Sequence, residues 1–299
     1  MSQAASPSTS RPYGLARVCR VWDIPRSSVY AAHSRARDTA RVVGRRGPKT
    51  AWSDTCLTEE IRAVLARSPF LGEGHRKVWA RLRLAGVRTS RARVLRLMRA
   101  AGLLAPTRAG QAHGPKAHDG TIITERPDEV WGTDATSCLT TAEGAATIFV
   151  AVDHYTAECV GIRAAHRGTR FEALEPLRQG LRVHFGGYSA AIAPGLTLRH
   201  DHGSQYMSDH FQGELRFLGI TSSPAFVREP QGNGCAERFI RTLKEQLLWV
   251  EAFATVEDLR RALLAFKERY NHEWLIERLG YRTPAAARAA FIASTEVAA

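Results

Sequence analysis

Three acidic residues, Asp134, Asp201 and Glu237, stand where side chains could perform chemistry. Asp134 lies within a predicted strand, where aspartate is disfavoured, Asp201 follows another predicted strand, and Glu237 begins a predicted helix after a glycine-rich loop. Strand ends and helix starts can converge on one edge of a sheet. Carboxylates are the ligands that Mg²⁺ or Mn²⁺ prefers, and three of them can hold two ions about 4 Å apart. Such a pair of ions activates an attacking water or hydroxyl group and stabilises the leaving oxygen of a phosphodiester.

Each of these carboxylates also has an ordinary structural explanation. Asp201 stands before His-Gly and could be a turn residue, while Glu237 could merely complement the positive end of a helix. Asp153 is a competing acid at the end of another predicted strand, and we interpret it as a structural or turn residue. Residue type alone leaves both explanations open, so spacing must decide.

The helix that starts near Glu237 has two distinct faces. At 100° per residue, Glu237, Arg241 and Lys244 occupy one narrow arc, and a different arc holds four apolar residues, Ile240, Leu243, Leu247 and Val250. One face is therefore predicted to pack while the other presents an acid and two bases. The simpler alternative is a surface ion pair between Glu237 and Arg241 at i,i+4.

Positive charge is confined to the first part of the chain. Residues 1–120 hold 23 Lys and Arg against 7 Asp and Glu, a net charge of +16, whereas residues 121–299 hold 19 against 22, a net charge of −3. Arginine dominates the excess, and its guanidinium group suits phosphate oxygens, so we expect a polyanionic partner. The alternative is a solvated basic surface.

Two helix-turn-helix patterns occupy this basic part. The first runs from Gly14 to Arg37 and the second from Leu57 to Ala101, with Ser90 as a capping residue before the last helix. Apolar residues of that last helix can face a core, which leaves four arginines largely outside: Arg91, Arg93, Arg96 and Arg99. Such a surface suits a DNA groove or backbone. An ordinary three-helix domain with a basic surface would have the same pattern.

After residue 121 the sequence changes to short apolar runs punctuated by turns. Strands are predicted at 129–138, 147–155, 158–165, 196–200 and near 220–222, with helices at 170–185 and 208–218 and a long helix from 236. Three strands followed by a helix and further strands predict a mixed α/β sheet.

Linker-like composition near residue 50 and between 102 and 120 divides the chain. We predict an N-terminal helix-turn-helix segment with its linker at 1–50 and a second helix-turn-helix DNA-binding domain at 51–104. A linker at 105–124, an α/β core with C-terminal helices at 125–290 and a tail at 291–299 complete the chain.

Asp201 and Glu237 have 35 residues between them, and with this spacing the chain resembles the DDE transposase and retroviral-integrase superfamily. It is most similar in pattern to the OrfB-type transposases of the IS-three family of bacterial insertion sequences. The resemblance covers nearly all 299 residues and is carried by the segments GHRKVW (74–79), 91–104, WGTD (131–134), HDHGSQY (200–206), GNGCAERF (232–239) and LGYRTP (279–284). The chain departs at 272–278, where family members commonly have Arg-Pro-His after Tyr-Asn.

The resemblance implies a multidomain protein with N-terminal all-α helix-turn-helix units and a ribonuclease-H-like core built on a five-stranded mixed sheet. Asp134, Asp201 and Glu237 fall on the three acidic positions of the family, which implies two bound Mg²⁺ or Mn²⁺ ions. Lys244 matches a basic residue that contacts the transposon end in the family. Further candidates for DNA contact are Arg241, Asn233, Arg76 and Lys77.

The implied activity is metal-dependent DNA nicking and strand transfer, without a covalent protein–DNA intermediate. The implied partners are double-stranded DNA with terminal inverted repeats, target DNA, further copies of the chain and a smaller upstream-frame (OrfA-type) protein. One alternative is a nuclease of the same fold that hydrolyses without joining. Another is a DNA-binding transcriptional regulator or inactive relic, against which the presence of all three acids argues.

Composition limits the cellular compartments in which the protein is expected. No apolar run approaches the roughly 20 residues that a membrane span needs, and the N-terminus lacks the features of a secretory signal. The five cysteines form no Cys-x-x-Cys pair, which argues against a disulfide framework or a structural zinc site. We expect a cytoplasmic, nucleoid-associated bacterial protein without membrane contact, in which Cys235 is a small buried thiol.

Overall fold

The computed structural model describes residues 3–37, 51–106, 124–225 and 233–298. The chain forms two compact units, Met1–Ala51 and Trp52–Ala299. In the first unit, helix α1 (Leu15–Val21) and helix α2 (Arg26–Arg37) give the helix-turn-helix that the sequence predicts. The turn between them is closed by the amide of Ile24, which donates to the carbonyl of Cys19 at 2.9 Å.

The second unit begins with three helices, α3 (Asp54–Arg67), α4 (His75–Leu84) and α5 (Arg91–Ala100). Their apolar faces meet in a small core that includes Leu57, Ile61, Val78, Leu82, Val94 and Met98. Ser90 accepts a hydrogen bond from the amide of Arg93 and so caps α5, as its position predicts. The second helix-turn-helix is therefore present.

A five-stranded mixed sheet follows, as predicted. Its strands are β1 (Val130–Thr140), β2 (Gly144–Asp153), β3 (Cys159–Ala165), β4 (Thr197–His200) and β5 (Thr221–Pro224). The spatial order is β3-β2-β1-β4-β5, in which β1, β2 and β3 are antiparallel neighbours and β4 and β5 run parallel to β1. Strand β1 is thus central and carries Asp134.

Helices cover both faces of the sheet. They are α6 (Arg170–His184), α7 (Ser204–Met207), α8 (Asp209–Leu218), α9 (Gly234–Leu243), α10 (Val256–Glu273) and α11 (Pro284–Ala298). Because side chains alternate along a strand, Phe149 of β2 packs with α6 and α8, whereas Ile148 and Val150 pack with α9 and α10. Helix α11 runs across the predicted boundary at 290, and the finer division of the chain stays a prediction.

The helix predicted from residue 236 differs from expectation at its C-terminal end. Regular α-helix ends at Leu243 and continues as a π-helical turn from Lys244 to Leu248. A π turn changes the angle between successive residues. The prediction that Val250 packs on the apolar face is therefore wrong, since this side chain is 51% exposed, while Leu247 remains buried.

In the part of the chain that the structure describes, no helix combines the length and the apolarity that crossing a membrane requires.

Candidate active site

Asp134 lies in the middle of the sheet, on β1 opposite Val150 of β2. Its Oδ1 accepts a hydrogen bond from the amide of Ala135 at 2.8 Å. Burial, with smaller contributions from the negative charges of Asp201 and Glu237, raises the pKa of this carboxyl group to about 6, although the hydrogen bond from Ala135 and the positive charge of Lys244 lower it. The four side chains therefore share one electrostatic environment, although they come from three separate stretches of sequence.

Asp201 occupies the carboxyl end of β4, the strand parallel to β1. Its Oδ1 accepts from the amide of Gly203 at 2.7 Å, which holds the exposed carboxylate at the start of the following turn. The preceding residue, His200, is buried, and its ring nitrogens lie 2.7 Å from the carbonyl oxygen of Asp201 and 2.9 Å from Oγ of Ser222. His200 thus fixes the turn that presents Asp201.

Glu237 projects from the first turn of α9 and lies at the surface. Partial desolvation raises the pKa of its carboxyl group. The alternative interpretation was an ion pair between Glu237 and Arg241. Arg241 instead pairs with Glu245, and its Nε lies 3.1 Å from Oε1 of that residue. Lys244 begins the π-helical turn and is close enough to lower the pKa of Asp134.

Tyr206 lies close enough to Asp134 and Asp201 to feel their charges, and sequence reasoning did not single it out. Its hydroxyl group is buried, and burial together with the charges of Asp134 and Asp201 raises its pKa. The ring also packs edge-to-face on Phe149 and Phe211. The signal for it was its place in the HDHGSQY segment, five residues after Asp201.

The three acids suit divalent cations in donor type, because a hard cation prefers carboxylate oxygens and its charge favours the ionised form of Asp134, which burial and the two neighbouring acids disfavour. Within the described residues, no three His, Cys, Asp or Glu side chains are grouped as ligands of one ion. Asp201 and Glu237 therefore affect the ionisation of Asp134, but the oxygens of the three acids are not arranged as a complete coordination sphere. Which of them bind metal stays a prediction.

Asn233 and Cys235 have structural contacts near the site. Asn233 is buried, and its Nδ2 donates to the carbonyl of Thr133 at 2.8 Å. Burial raises the pKa of the Cys235 thiol to about 11, so it is no thiolate nucleophile at neutral pH. Asp153 is buried and accepts hydrogen bonds from Thr156 and from the amide of Asp128, which gives it a structural role.

The arginines of α5 do not all face outward as predicted. Arg93 is turned inward, where its guanidinium binds Asp54 and the carbonyl of Trp52 at 2.7 Å, and only 18% of its side chain is exposed. Arg96 binds the other carboxylate oxygen of Asp54 at 2.8 Å. The carboxylate of Asp54, at the start of α3, attracts both cations, whereas Arg99 lies on the exposed face.

Arg76, Lys77 and Arg91 contact the C-terminal part of the chain. Nη1 of Arg76 binds Glu277 at 2.8 Å, and Nη1 of Arg91 lies 3.7 Å from the same carboxylate. Nζ of Lys77 lies 2.8 Å from the centre of the Trp274 ring. Sequence reasoning missed this contact between the helix-turn-helix domain and the core, because its partners lie about 200 residues apart.

Comparison with known proteins supports both halves of this architecture. The model of an HTH-like domain matches residues 52–110, and that of an integrase core domain matches residues 218–284, which include Glu237 and Lys244. The two domains stand in the predicted order, and this confirms the fold class of helix-turn-helix helices before a core with a mixed sheet.

Relatives match along almost the whole chain. The transposase for insertion sequence element IS629 of Shigella sonnei is 27% identical over 297 residues, which cover 94% of this chain and 94% of the relative. Transposase InsD for insertion element IS2A/D/F/H/I/K of Escherichia coli is 27% identical over 285 residues, with 92% and 91% covered. A chain of the simian T-cell lymphotropic virus intasome is 19% identical, with 79% and 74% covered and a TM-score of 0.46.

Both domain matches fall within this aligned length, and the acidic residues expected from the family stand on the central strand, the parallel strand beside it and the helix after the loop. The chain thus combines an HTH-like domain with an integrase core domain, and along almost its whole length it is similar to insertion-sequence transposases.

Proposed function

We propose that this chain nicks DNA at the ends of an insertion sequence and joins the resulting 3′ ends to target DNA, with Asp134, Asp201 and Glu237 as its catalytic carboxylates. The observation that carries the assignment is electrostatic. The charges of Asp201 and Glu237 raise the pKa of Asp134, while the cation of Lys244 lowers it. Asp134 on the central strand is a half-buried carboxylate whose ionisation is disfavoured by burial and by two neighbouring negative charges, and a divalent cation bound among the three acids would stabilise its charged form.

The residues divide the work as follows. Asp134, Asp201 and Glu237 would hold Mg²⁺ or Mn²⁺, with two ions as the family pattern implies. Divalent ions at such a site supply activation of a water or a 3′-hydroxyl group and charge stabilisation of the leaving oxygen. Lys244 adds positive charge beside the acids, where a DNA phosphate would approach. Because water or a 3′-hydroxyl group would be the attacking nucleophile at such a site, no side-chain nucleophile and no covalent protein–DNA intermediate is expected.

The helix-turn-helix units would bind the element ends. Residues 1–120 carry a net charge of +16, and the exposed Arg99 belongs to the last helix of the second unit. We expect Arg99 and Arg241 to contact DNA because they are exposed, and Lys244 because it lies beside the acids. Assembly of several copies on paired ends and cooperation with a smaller upstream-frame protein are proposed from the family alone.

The test incubates the purified full chain with Mg²⁺ and labelled DNA that carries the terminal inverted repeats of its element. We expect nicked ends and joined products, both abolished in Asp201→Asn. Asp209→Asn is the matched control, because Asp209 is an exposed acid on the neighbouring helix α8. Absence of both products, or unchanged activity in Asp201→Asn, would overturn the proposal, and nicking without joining would reduce it to a nuclease.

A further inference from the structure

Gly132 of β1, two residues before Asp134, has no side chain, and two polar side chains from elsewhere in the chain approach its Cα. A methyl group on Gly132 would lie 2.6 Å from Oδ1 of Asn233 and 2.9 Å from Nε2 of His154. Carbon atoms of real side chains do not approach polar atoms so closely, so only glycine leaves both side chains in place. Asn233 and His154 therefore meet over the backbone of the strand that carries Asp134.

The side-chain amide of Asn233 has a defined orientation. Its Nδ2 faces the carbonyl oxygen of Thr133 at 2.8 Å and must be the donor of that hydrogen bond. Its Oδ1 is then an acceptor, and it is buried without a hydrogen-bond partner among the described residues. A buried acceptor without a donor is costly. A donor beside Gly132 would therefore stabilise Asn233 in this position.

His154 supplies a nearby group that can be this donor. Its Nε2 is also buried and without a partner in the part of the chain described. Burial lowers the pKa of the imidazole to about 4, with smaller contributions from Arg199 and Arg278, so the ring is neutral near pH 7 and carries one N–H. Since both atoms approach the same point, one bridging water can join them.

Hydrogen bonds to the backbone hold His154 in place. Its backbone amide donates to the carbonyl of Val130 at 2.9 Å, at the start of β1. Arg278 donates to the carbonyls of His154 at 2.9 Å and Tyr155 at 2.8 Å. Arg278 belongs to segment 272–278, where the chain departs from the family pattern, so this segment supports His154.

We propose that His154 is a positioning residue for the active site: its Nε2–H donates to Oδ1 of Asn233 through one bridging water. Asn233 directly precedes α9, which carries Glu237, and Thr133 directly precedes Asp134. The hydrogen bond from Asn233 to Thr133 therefore ties the helix of one catalytic carboxylate to the strand of another. His154 keeps the side chain of Asn233 in the orientation that this hydrogen bond needs. The inference rests on the proposed function, since it gives His154 no chemistry of its own.

The first measurement needs neither metal nor activity. Amide hydrogen exchange is compared at residues 233–240 in the wild type, His154→Phe and His154→Gln. Phenylalanine keeps a ring but lacks the donor, so exchange at the start of α9 should quicken about fivefold, the factor expected for one lost hydrogen bond. Glutamine retains an N–H donor and should restore slow exchange. His210→Phe is the matched control, because His210 is an exposed histidine on α8.

The second measurement is a double-mutant cycle on the strand-transfer reaction. His154→Phe should lower kcat roughly tenfold to a hundredfold, because a small misplacement of a reacting group has effects of this size. The affinity for the element ends should stay unchanged. In an Asn233→Ala background, His154→Phe should have no further effect, since the acceptor is already missing. Gly132→Ala should reproduce the loss of kcat by displacing both side chains.

The proposal would be overturned by slow exchange at 233–240 in His154→Phe, or by independent effects of the two substitutions in the cycle. Equal defects in His154→Phe and His154→Gln would also overturn it, because size rather than the donor would then matter. Failure of the proposed function is distinguishable. It would be seen as an inactive wild type in which His154→Phe still quickens exchange at α9.

Discussion

Arg76 and Glu277 form an ion pair at 2.8 Å that joins the HTH-like domain to the C-terminal part of the core. Arg91 lies 3.7 Å from the same carboxylate, and Nη2 of Arg81 donates to the carbonyl of Glu273 at 3.3 Å. One carboxylate thus faces two guanidinium groups in the way that a DNA phosphate would. Two side chains predicted to contact DNA are engaged within the protein itself.

Removing the charge of Glu277 should increase the affinity for DNA. Hydrogen bonds from Arg76 hold the pKa of the Glu277 carboxyl group below its usual range, so it is ionised and competes with phosphate near pH 7. Glu277→Gln should tighten binding to duplex DNA and steepen the dependence of log Kd on log salt by about 1 to 2. Fluorescence anisotropy at several salt concentrations measures both.

Glu257→Gln is the control for this prediction, because Glu257 is an exposed acid that pairs with Arg260 one turn away on α10. It removes the same charge from the chain without releasing Arg76 or Arg91. Equal salt slopes in the two variants would mean that net charge alone, and not the contact at Glu277, governs the affinity.

Asp134 should make the metal-free protein less stable above pH 6. Its folded pKa of about 6 lies above the ordinary value of 3.8, so the folded state binds the proton more tightly than the unfolded state. Stability should therefore fall as pH rises from about 4 to about 6 and stay low above that range. Asp134→Asn should raise the free energy of unfolding at pH 7 by up to about 3 kcal/mol.

Denaturant unfolding with a chelator present, at pH 7 and near pH 4, measures this gain. It should vanish near pH 4, where the wild-type carboxyl group is protonated in the folded state. Asp209→Asn should show no comparable gain, because Asp209 is exposed at the start of α8. An Asp134→Asn protein no more stable than the wild type at pH 7 contradicts the prediction.

Binding of a divalent metal ion should offset the unfavourable free energy of holding the three acids close together. Mg²⁺ at about 100 times its Kd should stabilise the wild type by about 2.7 kcal/mol. Because the metal competes with the proton on Asp134, its half-saturating concentration should rise as pH falls below about 6. Thermal unfolding across a Mg²⁺ series tests both. The same Mg²⁺ response in Asp201→Asn would remove Asp201 from the metal site.

The sheet and the acids were predictable because their signals are local. Short apolar runs punctuated by turns predicted the strands, and an aspartate inside such a run marked Asp134 as unusual. The inward turn of Arg93 was not predictable, since it depends on Asp54 from another helix. The place of His154 beside Asn233 was not predictable either, because it exists only once β1 and α9 are packed. Contacts between distant segments carry no local pattern.

Arg288 should be a major contributor to stability. Its Nη1 binds Asp128 at 2.5 Å, its Nε binds Glu158, and only 12% of its side chain is exposed. Arg288→Met leaves two carboxylates without their counter-charge in a poorly solvated place, so it should lower the free energy of unfolding by about 3 kcal/mol. Arg67→Met is the control, since Arg67 pairs with Glu60 at an exposed site. Denaturant unfolding compares the two, and similar losses would contradict the argument.

Gly161 of β3 is required by the close packing of α6 on the sheet. A methyl group there would lie 2.0 Å from the carbonyl oxygen of Pro176, and that atom belongs to backbone that cannot rotate away. Pro176 lies inside α6, so the whole helix must shift away from β3. Gly161→Ala should therefore lower the free energy of unfolding by about 3 kcal/mol.

Gly187→Ala is the matched substitution, because a methyl group on Gly187 would meet no atom within 4 Å and Gly187 does not have a positive φ. Its free energy of unfolding should stay within about 1 kcal/mol of the wild type. Chemical denaturation at neutral pH compares the two alanine variants under the same conditions. If Gly161→Ala were as stable as Gly187→Ala, α6 would have to sit further from β3 than this structure places it.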